Sequence, residues 1–357
     1  MSTEHNYFDE AMSYKNLRKA LNRCCKNVRW KRSVIGYELH APIHTLKLIE
    51  DIQNNTYKIS PYQLFTIYEP KQRDIIATRI RDRQIQMSLC DNGLYEDLTE
   101  HFIYDNCACQ IGKGTDFALK RLKIHLGRFY RKHGKDGWVL KLDVKHFFQS
   151  TRHDVAKQAI AKRVSDEKAR QFVFDVIDSF GEIGIGLGSQ ISQLVELAVL
   201  DDLDHYIKEV LKIKAYVRYM DDFILIHEDK KYLQYCWEQI KIKLAEIDLQ
   251  LNKKSTLYPL RHGVKFLKWR LVLSDTGKVN MYIDTAKLGK QRRKMKKLLY
   301  KEMHKEVEQG TTLTCLIAWI ANAMRGTTYF QQIRMVQYYF ALKGEVYYDY
   351  ARATVES

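Results

Sequence analysis

The chain has 357 residues, 45% hydrophobic and 12% aromatic with four prolines, which excludes a disordered tail and gives room for two or three compact units. Its formal charge of +16, with an isoelectric point near 9.3, suits a polyanionic partner: nucleic acid first, a ribosomal surface or anionic lipid after it. No run of about 18 apolar residues is present to cross a bilayer, and neither Cys24–Cys25 nor Cys107 and Cys109 has zinc-knuckle spacing. With no apolar segment after the MSTEHNYFDE start, a cytoplasmic protein with reduced thiols and no membrane partner is expected.

In chain order, residues 8–27 read as a basic amphipathic helix, with Leu17, Leu21 and Cys24 on one face. Residues 60–80 alternate apolar and charged positions like a hairpin with Pro70 near its turn, and DRQIQMSLCDNGLYEDL follows as helix. A strand is expected from Trp138 to Phe148, then a helix-rich stretch, then the glycine-dense GEIGIGLGSQ opening a helix that runs to about Val210. Residues 215–227 form a hairpin-like pair of apolar runs around two acids; a helix at about 231–247 and short strands to about 283 follow. From about 285 the chain is helical and basic, and this change is the expected domain boundary. The order is that of an α+β fold with a mainly antiparallel sheet.

The chemistry concentrates in Tyr219-Met220-Asp221-Asp222. Adjacent carboxylates on a regular strand point to opposite faces, but in a tight hairpin turn both reach one site. Such a doublet between apolar runs is costly unless a cation neutralises it, and hard oxygen ligands suit Mg²⁺. Asp143 closes the apolar segment VLKLD well upstream. Carboxylates from separate strands are what a two-metal phosphoryl transfer needs to hold its ions about 4 Å apart. One ion activates a primer hydroxyl and the other stabilises the leaving pyrophosphate. The bland reading, Asp143 as a capping residue before Lys145, leaves the acid pair unexplained.

LDVKHFFQS and YMDD resemble catalytic motifs of reverse transcriptases, and the resemblance runs from about Tyr68 to Trp269. It implies a right-hand polymerase with residues 1–45 as a basic helical extension, 46–284 as fingers and palm and 285–357 as a helical thumb. It further implies a metal triad of Asp143, Asp221 and Asp222 with Val144 beside it, holding two Mg²⁺ ions with Mn²⁺ as the alternative. Phe148, five residues after Asp143, matches the bulky residue that excludes a 2′-hydroxyl, although one of Phe147 and Phe148 is expected only to fill core. Lys71 and Arg73 stand where basic side chains meet the incoming triphosphate. One of Lys253 and Lys254 matches a lysine near the same phosphates, placed to protonate pyrophosphate. Nucleic-acid contacts are implied for Arg79, for Lys113 and Gly114 in a turn near the template, and for Tyr219 and Met220. The same holds for Phe266 and Leu267 in a primer-grip-like hairpin, where Lys268 replaces an expected glycine, and for Arg292 and Arg293 on the thumb.

Leu187-Gly188-Ser189-Gln190-Ile191-Ser192-Gln193 departs from the usual Gln-Gly and Ser-Pro of the family. It resembles reverse transcriptases of diversity-generating retroelements, which copy a template RNA with errors at adenines. Leu187 would replace a polar contact to the nascent pair, weakening discrimination; Gly188 would admit a base pair close to the backbone; Gln193 completes the motif. The implied partners are a structured template RNA, dNTPs, a cDNA product and a small basic accessory protein. The stretch around Trp319 has the placing of a tryptophan-centred thumb block but departs from it after the tryptophan. Two alternatives stay open: an antiphage-defence reverse transcriptase that copies a non-coding RNA or makes repetitive or untemplated DNA, with a second reverse transcriptase as partner; and a non-catalytic RNA-binding scaffold. The last is opposed by the presence of all three acids.

Overall fold

The computed structural model describes residues 6–68 and 72–355, with 345–355 as backbone only. Two compact units result: Met1–Ala118 with Leu140–Leu225 and Lys231–Thr256, and Leu119–Val139 with Ile226–Lys230 and Leu257–Ser357.

The first unit opens with α1 (Phe8–Ala11), α2 (Tyr14–Cys25), α3 (Arg32–Leu39) and α4 (Ala41–Gln53). The single helix expected over 8–27 is two, because Ser13 leaves helical geometry and caps α2 by accepting the Asn16 amide at 3.4 Å. Leu17, Ala20, Leu21, Cys24 and Cys25 form the buried stripe of α2. β1 (Gln63–Ile67) and β2 (Arg73–Ala77) pair antiparallel in the register Phe65↔Ile75, so the hairpin expected over 60–80 is present. Pro70 lies outside the described residues.

α5 (Ile80–Leu89), a π turn (Cys90–Leu94) and α6 (Tyr95–Thr99) follow, and α2 packs on α5. The buried Gln84 amide donates to the Leu17 carbonyl at 3.0 Å and to Thr45 Oγ1 at 3.1 Å, which ties the N-terminal helices to α5. After α7 (Thr115–His133), β3 (Trp138–Asp143) ends at Asp143 rather than continuing to Phe148. His146 turns left-handed (φ 49°) and starts α8 (Phe147–Ser150), so the expected strand is cut in its second half.

α9 (His153–Ala161) and α10 (Glu167–Asp178) lead to the glycine segment. The helix expected to run to Val210 is interrupted: α11 (Gln190–Val199), α12 (Asp201–His205) and a π turn (Tyr206–Val210). β4 (Ala215–Tyr219) and β5 (Asp222–His227) then lie beside β3 in the order β4-β5-β3, within a four-stranded sheet. α13 (Lys230–Ala245) and β6 (Thr256–Pro259) complete this stretch.

The second unit contains β7 (Val264–Phe266), β8 (Trp269–Leu273) and β9 (Val279–Ile283), an antiparallel sheet in that order. α14 (Thr285–Met303), α15 (Thr311–Ala323) and α16 (Tyr329–Val355) pack around Met295, Leu316, Met335 and Tyr339, with Trp319 against this core. The helices dock on the sheet through the Ile283 amide, which donates to Gln331 Oε1 at 3.1 Å. No described helix is long and apolar enough to cross a membrane.

Candidate active site

The site starts from a two-residue hairpin turn. β4 ends at Tyr219 and β5 begins at Asp222, so Met220 and Asp221 make the whole connection. A loop this short needs positive φ at its first position, and Met220 supplies it at 55°. The cost for a non-glycine residue is about 1 kcal/mol, and it turns Asp221 and Asp222 toward the end of β3. There the Val144 amide donates to the Asp221 carbonyl at 3.1 Å, which sets the turn beside Asp143. The Asp143 carbonyl accepts the Asn252 amide at 2.7 Å, and the Asp143 amide donates to Ser255 Oγ at 3.3 Å. Lys253 and Lys254, both exposed, are thereby carried between two residues that bond to Asp143.

The electrostatics show how near these acids stand to one another. Burial pushes the Asp222 carboxyl up to about 6; Lys141 opposes the shift, and the charges of Asp143 and Asp221 add to it. The Lys141 ammonium lies 3.2 Å from both Asp222 oxygens and donates to Oδ2, while Oδ1 is buried without a hydrogen-bond partner. Among the described residues no three His, Cys, Asp or Glu side chains close around a common point.

A fully buried acid also feels the charge of Asp221. Glu196 on α11 is fully buried; its Oε2 accepts the Thr151 hydroxyl at 2.9 Å and its Oε1 has no hydrogen-bond partner. Burial pushes this carboxyl up to about 8, the Thr151 bond lowers it, and the charge of Asp221 raises it further.

The glycine segment is laced to its surroundings by main-chain bonds. The Ile185 amide donates to the Phe148 carbonyl at 2.6 Å, the Gly184 amide to the Thr151 carbonyl at 2.9 Å, and the Ile76 amide of β2 to the Leu187 carbonyl at 3.1 Å. Phe148 is half-buried and meets Phe147 edge-on, with ring centroids 5.9 Å apart. Gly188 has φ 148°, and a Cβ there would lie 2.7 Å from the Ile76 carbonyl oxygen. The close approach that demands this glycine is thus made by the protein's own β2 strand. Ser189 caps α11, accepting the Ser192 amide at 3.0 Å, and Gln193 is half-buried on its first turn.

Residues 71–271 match the family model described as reverse transcriptase (RNA-dependent DNA polymerase). The chain belongs to the reverse transcriptase family. It is 25% identical over 256 residues to protein YkfC of Escherichia coli strain K12, covering 58% of this chain and 66% of YkfC. The apo telomerase of Candida tropicalis superposes with a TM-score of 0.50 at 12% identity, over 64% of this chain and 48% of that one. A telomerase from Candida albicans in complex with a TWJ fragment of telomeric RNA gives a TM-score of 0.49 at 10% identity, over 67% and 49%. The chain spans about half the length of these telomerase chains and 66% of YkfC. The first telomerase likeness is one of fold: α+β with antiparallel sheets, the right-hand polymerase fold.

The remaining expected positions of this reverse transcriptase fall as follows. Arg73 is exposed on β2, and Arg79 is exposed before α5, donating to the Pro61 carbonyl at 3.1 Å. Lys71 lies outside the described residues. The Lys113 ammonium donates to the carbonyls of Tyr104 and Asn106 at 3.2 and 3.0 Å and lies over the rings of Tyr104 and Phe117. Gly114 (φ 153°) immediately precedes α7. Tyr219 is half-buried, and Met220 Sδ lies 3.9 Å from Cys109 Sγ.

In the second unit Phe266 is buried opposite Trp269, and the two-residue turn between them has Leu267 at φ 47° and Lys268 at φ 74°. The lysine in the expected glycine position adopts the left-handed geometry regardless. Arg292 and Arg293 are exposed on α14, with Arg292 5.2 Å from the Tyr338 ring centroid.

Three participants are absent from the sequence expectations. Lys141 sits two residues before Asp143 on the same face of β3, so the strand period was its signal. Glu196 is the one charge in the apolar helix QISQLVELAV. Arg218 interrupts the apolar strand AYVRY and is fully buried against Asp204.

Proposed function

We propose that the chain is an RNA-directed DNA polymerase that makes cDNA from a dedicated structured RNA. The observation that carries this reading is the bond from the Val144 amide to the Asp221 carbonyl, which sets the Asp221–Asp222 turn beside Asp143, where burial and the charges of Asp143 and Asp221 raise the proton affinity of Asp222. That donor set fits a hard divalent cation, which would neutralise the carboxylate charge gathered there. Asp143, Asp221 and Asp222, with Val144 adjoining, would hold Mg²⁺ as two ions, with Mn²⁺ as the alternative. Bound there, the ions supply activation of a primer hydroxyl and stabilisation of the departing pyrophosphate.

The chain's own groups account for the rest. Lys253 or Lys254, carried beside Asp143, offers a cation and a proton to the triphosphate end, with Lys71 and Arg73 supplying charge from the fingers hairpin. Phe148 offers an apolar face against the sugar and selects dNTPs. Arg79, Lys113, Gly114, Tyr219 and Met220 follow the template side. Phe266, Leu267, Arg292 and Arg293 follow the primer duplex through its phosphates. In this reading residues 1–45 are a basic extension, 46–284 fingers and palm, and 285–357 a thumb.

Within the family, the run Leu187-Gly188 to Ser192-Gln193 supports a diversity-generating retroelement enzyme with errors at template adenines and a small basic accessory protein. The test is incorporation of dNTPs on copurified RNA, followed by sequencing of RNA and product. Asp221→Ala and Asp222→Ala should each reduce incorporation at least about 1,000-fold, several kcal/mol of transition-state stabilisation, while RNA binding persists. Loss of RNA binding in both variants would instead make the pair structural. A faithful copy would leave the polymerase and remove the retroelement assignment.

A further inference from the structure

We propose that Arg218 is the positioning residue for the Asp221–Asp222 turn, acting through its buried partners Asp204 and Tyr216. This rests on the polymerase reading above. Arg218 and Asp204 are both wholly buried, with 0% side-chain exposure. The guanidinium grips the carboxylate with both prongs, Nε to Oδ1 at 2.7 Å and Nη2 to Oδ2 at 2.6 Å. The Tyr216 hydroxyl donates to the same Oδ1 at 2.6 Å. The fork is therefore immobilised before it meets anything else.

Its remaining hydrogens point at main chain. Nη2 donates to the Leu197 carbonyl of α11 at 3.2 Å, and Nη1 donates to the Met220 carbonyl at 3.2 Å. The second bond matters most, because Met220 holds the left-handed geometry that makes the turn. The carbonyl of the next residue, Asp221, is already taken by the Val144 amide at 3.1 Å. Two successive peptide planes are thus fixed, one by Arg218 and one by the residue following Asp143. The direction in which the Asp221 side chain leaves the backbone is set by these two bonds.

The backbone of Arg218 is also anchored. Its amide donates to the Asp105 carbonyl at 3.1 Å, and its carbonyl accepts the Cys107 amide at 3.0 Å. Core filling does not explain the arrangement, since a well-packed apolar pair commonly replaces a buried ion pair at no loss of stability. An apolar pair has no N–H to aim at the Met220 carbonyl.

Two variants of the full chain test this. Arg218→Met with Asp204→Asn removes both charges together, so no unpaired charge remains buried. Arg218→Lys keeps the cation but loses the planar fork that serves Asp204 and Met220 at once. Each is compared with the unaltered chain for Mn²⁺ binding by electron paramagnetic resonance, for thermal unfolding, and for kcat and dNTP KM on primed RNA. The expected result is Mn²⁺ affinity and kcat each lower by about 10–100-fold, the range for residues that orient ligands, with KM within about twofold and RNA binding kept. Wild-type Mn²⁺ affinity in either folded variant overturns the proposal. Mn²⁺ binding needs no turnover, so a chain that binds the ion without incorporating dNTPs refutes the polymerase reading while still deciding the role of Arg218. Should the double variant not fold, Arg218→Lys alone decides it.

Discussion

The Leu187 carbonyl accepts the Ile76 amide at 3.1 Å, so the loop that opens α11 is bonded directly to the second strand of the β1–β2 hairpin. The adjoining Gly188 leaves 2.7 Å between a notional Cβ and the Ile76 carbonyl oxygen, at φ 148°. Gly188→Ala meets a clash with main chain and a backbone region that side chains avoid, a cost of about 1–3 kcal/mol. The expected outcome is a lower urea midpoint and faster hydrogen exchange at the Ile76 amide. An unchanged midpoint with Ile76 still protected would mean that β2 yields freely.

Leu187 is half-buried in the same loop, with its main chain committed to β2. Leu187→Gln restores a polar group beside the bonded strand without altering those main-chain bonds. Misincorporation opposite template adenine should fall by about tenfold, the scale of one added hydrogen bond of about 1.4 kcal/mol. Sequencing of cDNA from both enzymes measures it; an identical error spectrum removes Leu187 from fidelity control.

The proposed metal site is expected to be sensitive to pH through Asp222. Burial, the first cause, holds its carboxyl at about 6, above the ordinary 3.8. A divalent ion competes with the proton, so apparent affinity is full above about 7 and falls roughly tenfold per pH unit below 6. Mn²⁺ titration between pH 7.5 and 5 reads this directly. A flat affinity across that interval would show that Asp222 is ionised throughout and contributes no proton competition.

The acid pair was legible in the sequence because apolar runs on both sides of YMDD leave two charges with nowhere to go but a turn. Asp143 was legible as the end of an apolar run, yet the strand was read past it, since KHFF continues the pattern and nothing in the sequence marks the left-handed His146. Gly188 was expected to make room for a base pair, and the neighbour that needs the room is Ile76, a long-range contact no local pattern encodes. The buried charges Glu196 and Arg218 sat in plain view as isolated polar residues within apolar elements. Their partners Thr151 and Asp204 lie 45 and 14 residues away in the chain, so only the fold joins them.

Glu196 gives a stability prediction whose sign follows from its burial. Its carboxyl is held at about 8 in the folded chain, against 4.5 when free. Below 4.5 it is protonated folded or unfolded. As pH rises toward 8 the unfolded chain releases the proton and the folded chain keeps it, so stability is lost across that window. Glu196→Gln cannot titrate and preserves an acceptor for the Thr151 hydroxyl. The wild-type chain should therefore lose stability relative to the variant between pH 5 and 8.5, by at least about 1 kcal/mol, less than one pK unit's worth. Thermal unfolding at a series of pH values checks it. Parallel curves for the two proteins would place Glu196 ionised and compensated in the fold, and would remove the Asp221 repulsion from the account of the site.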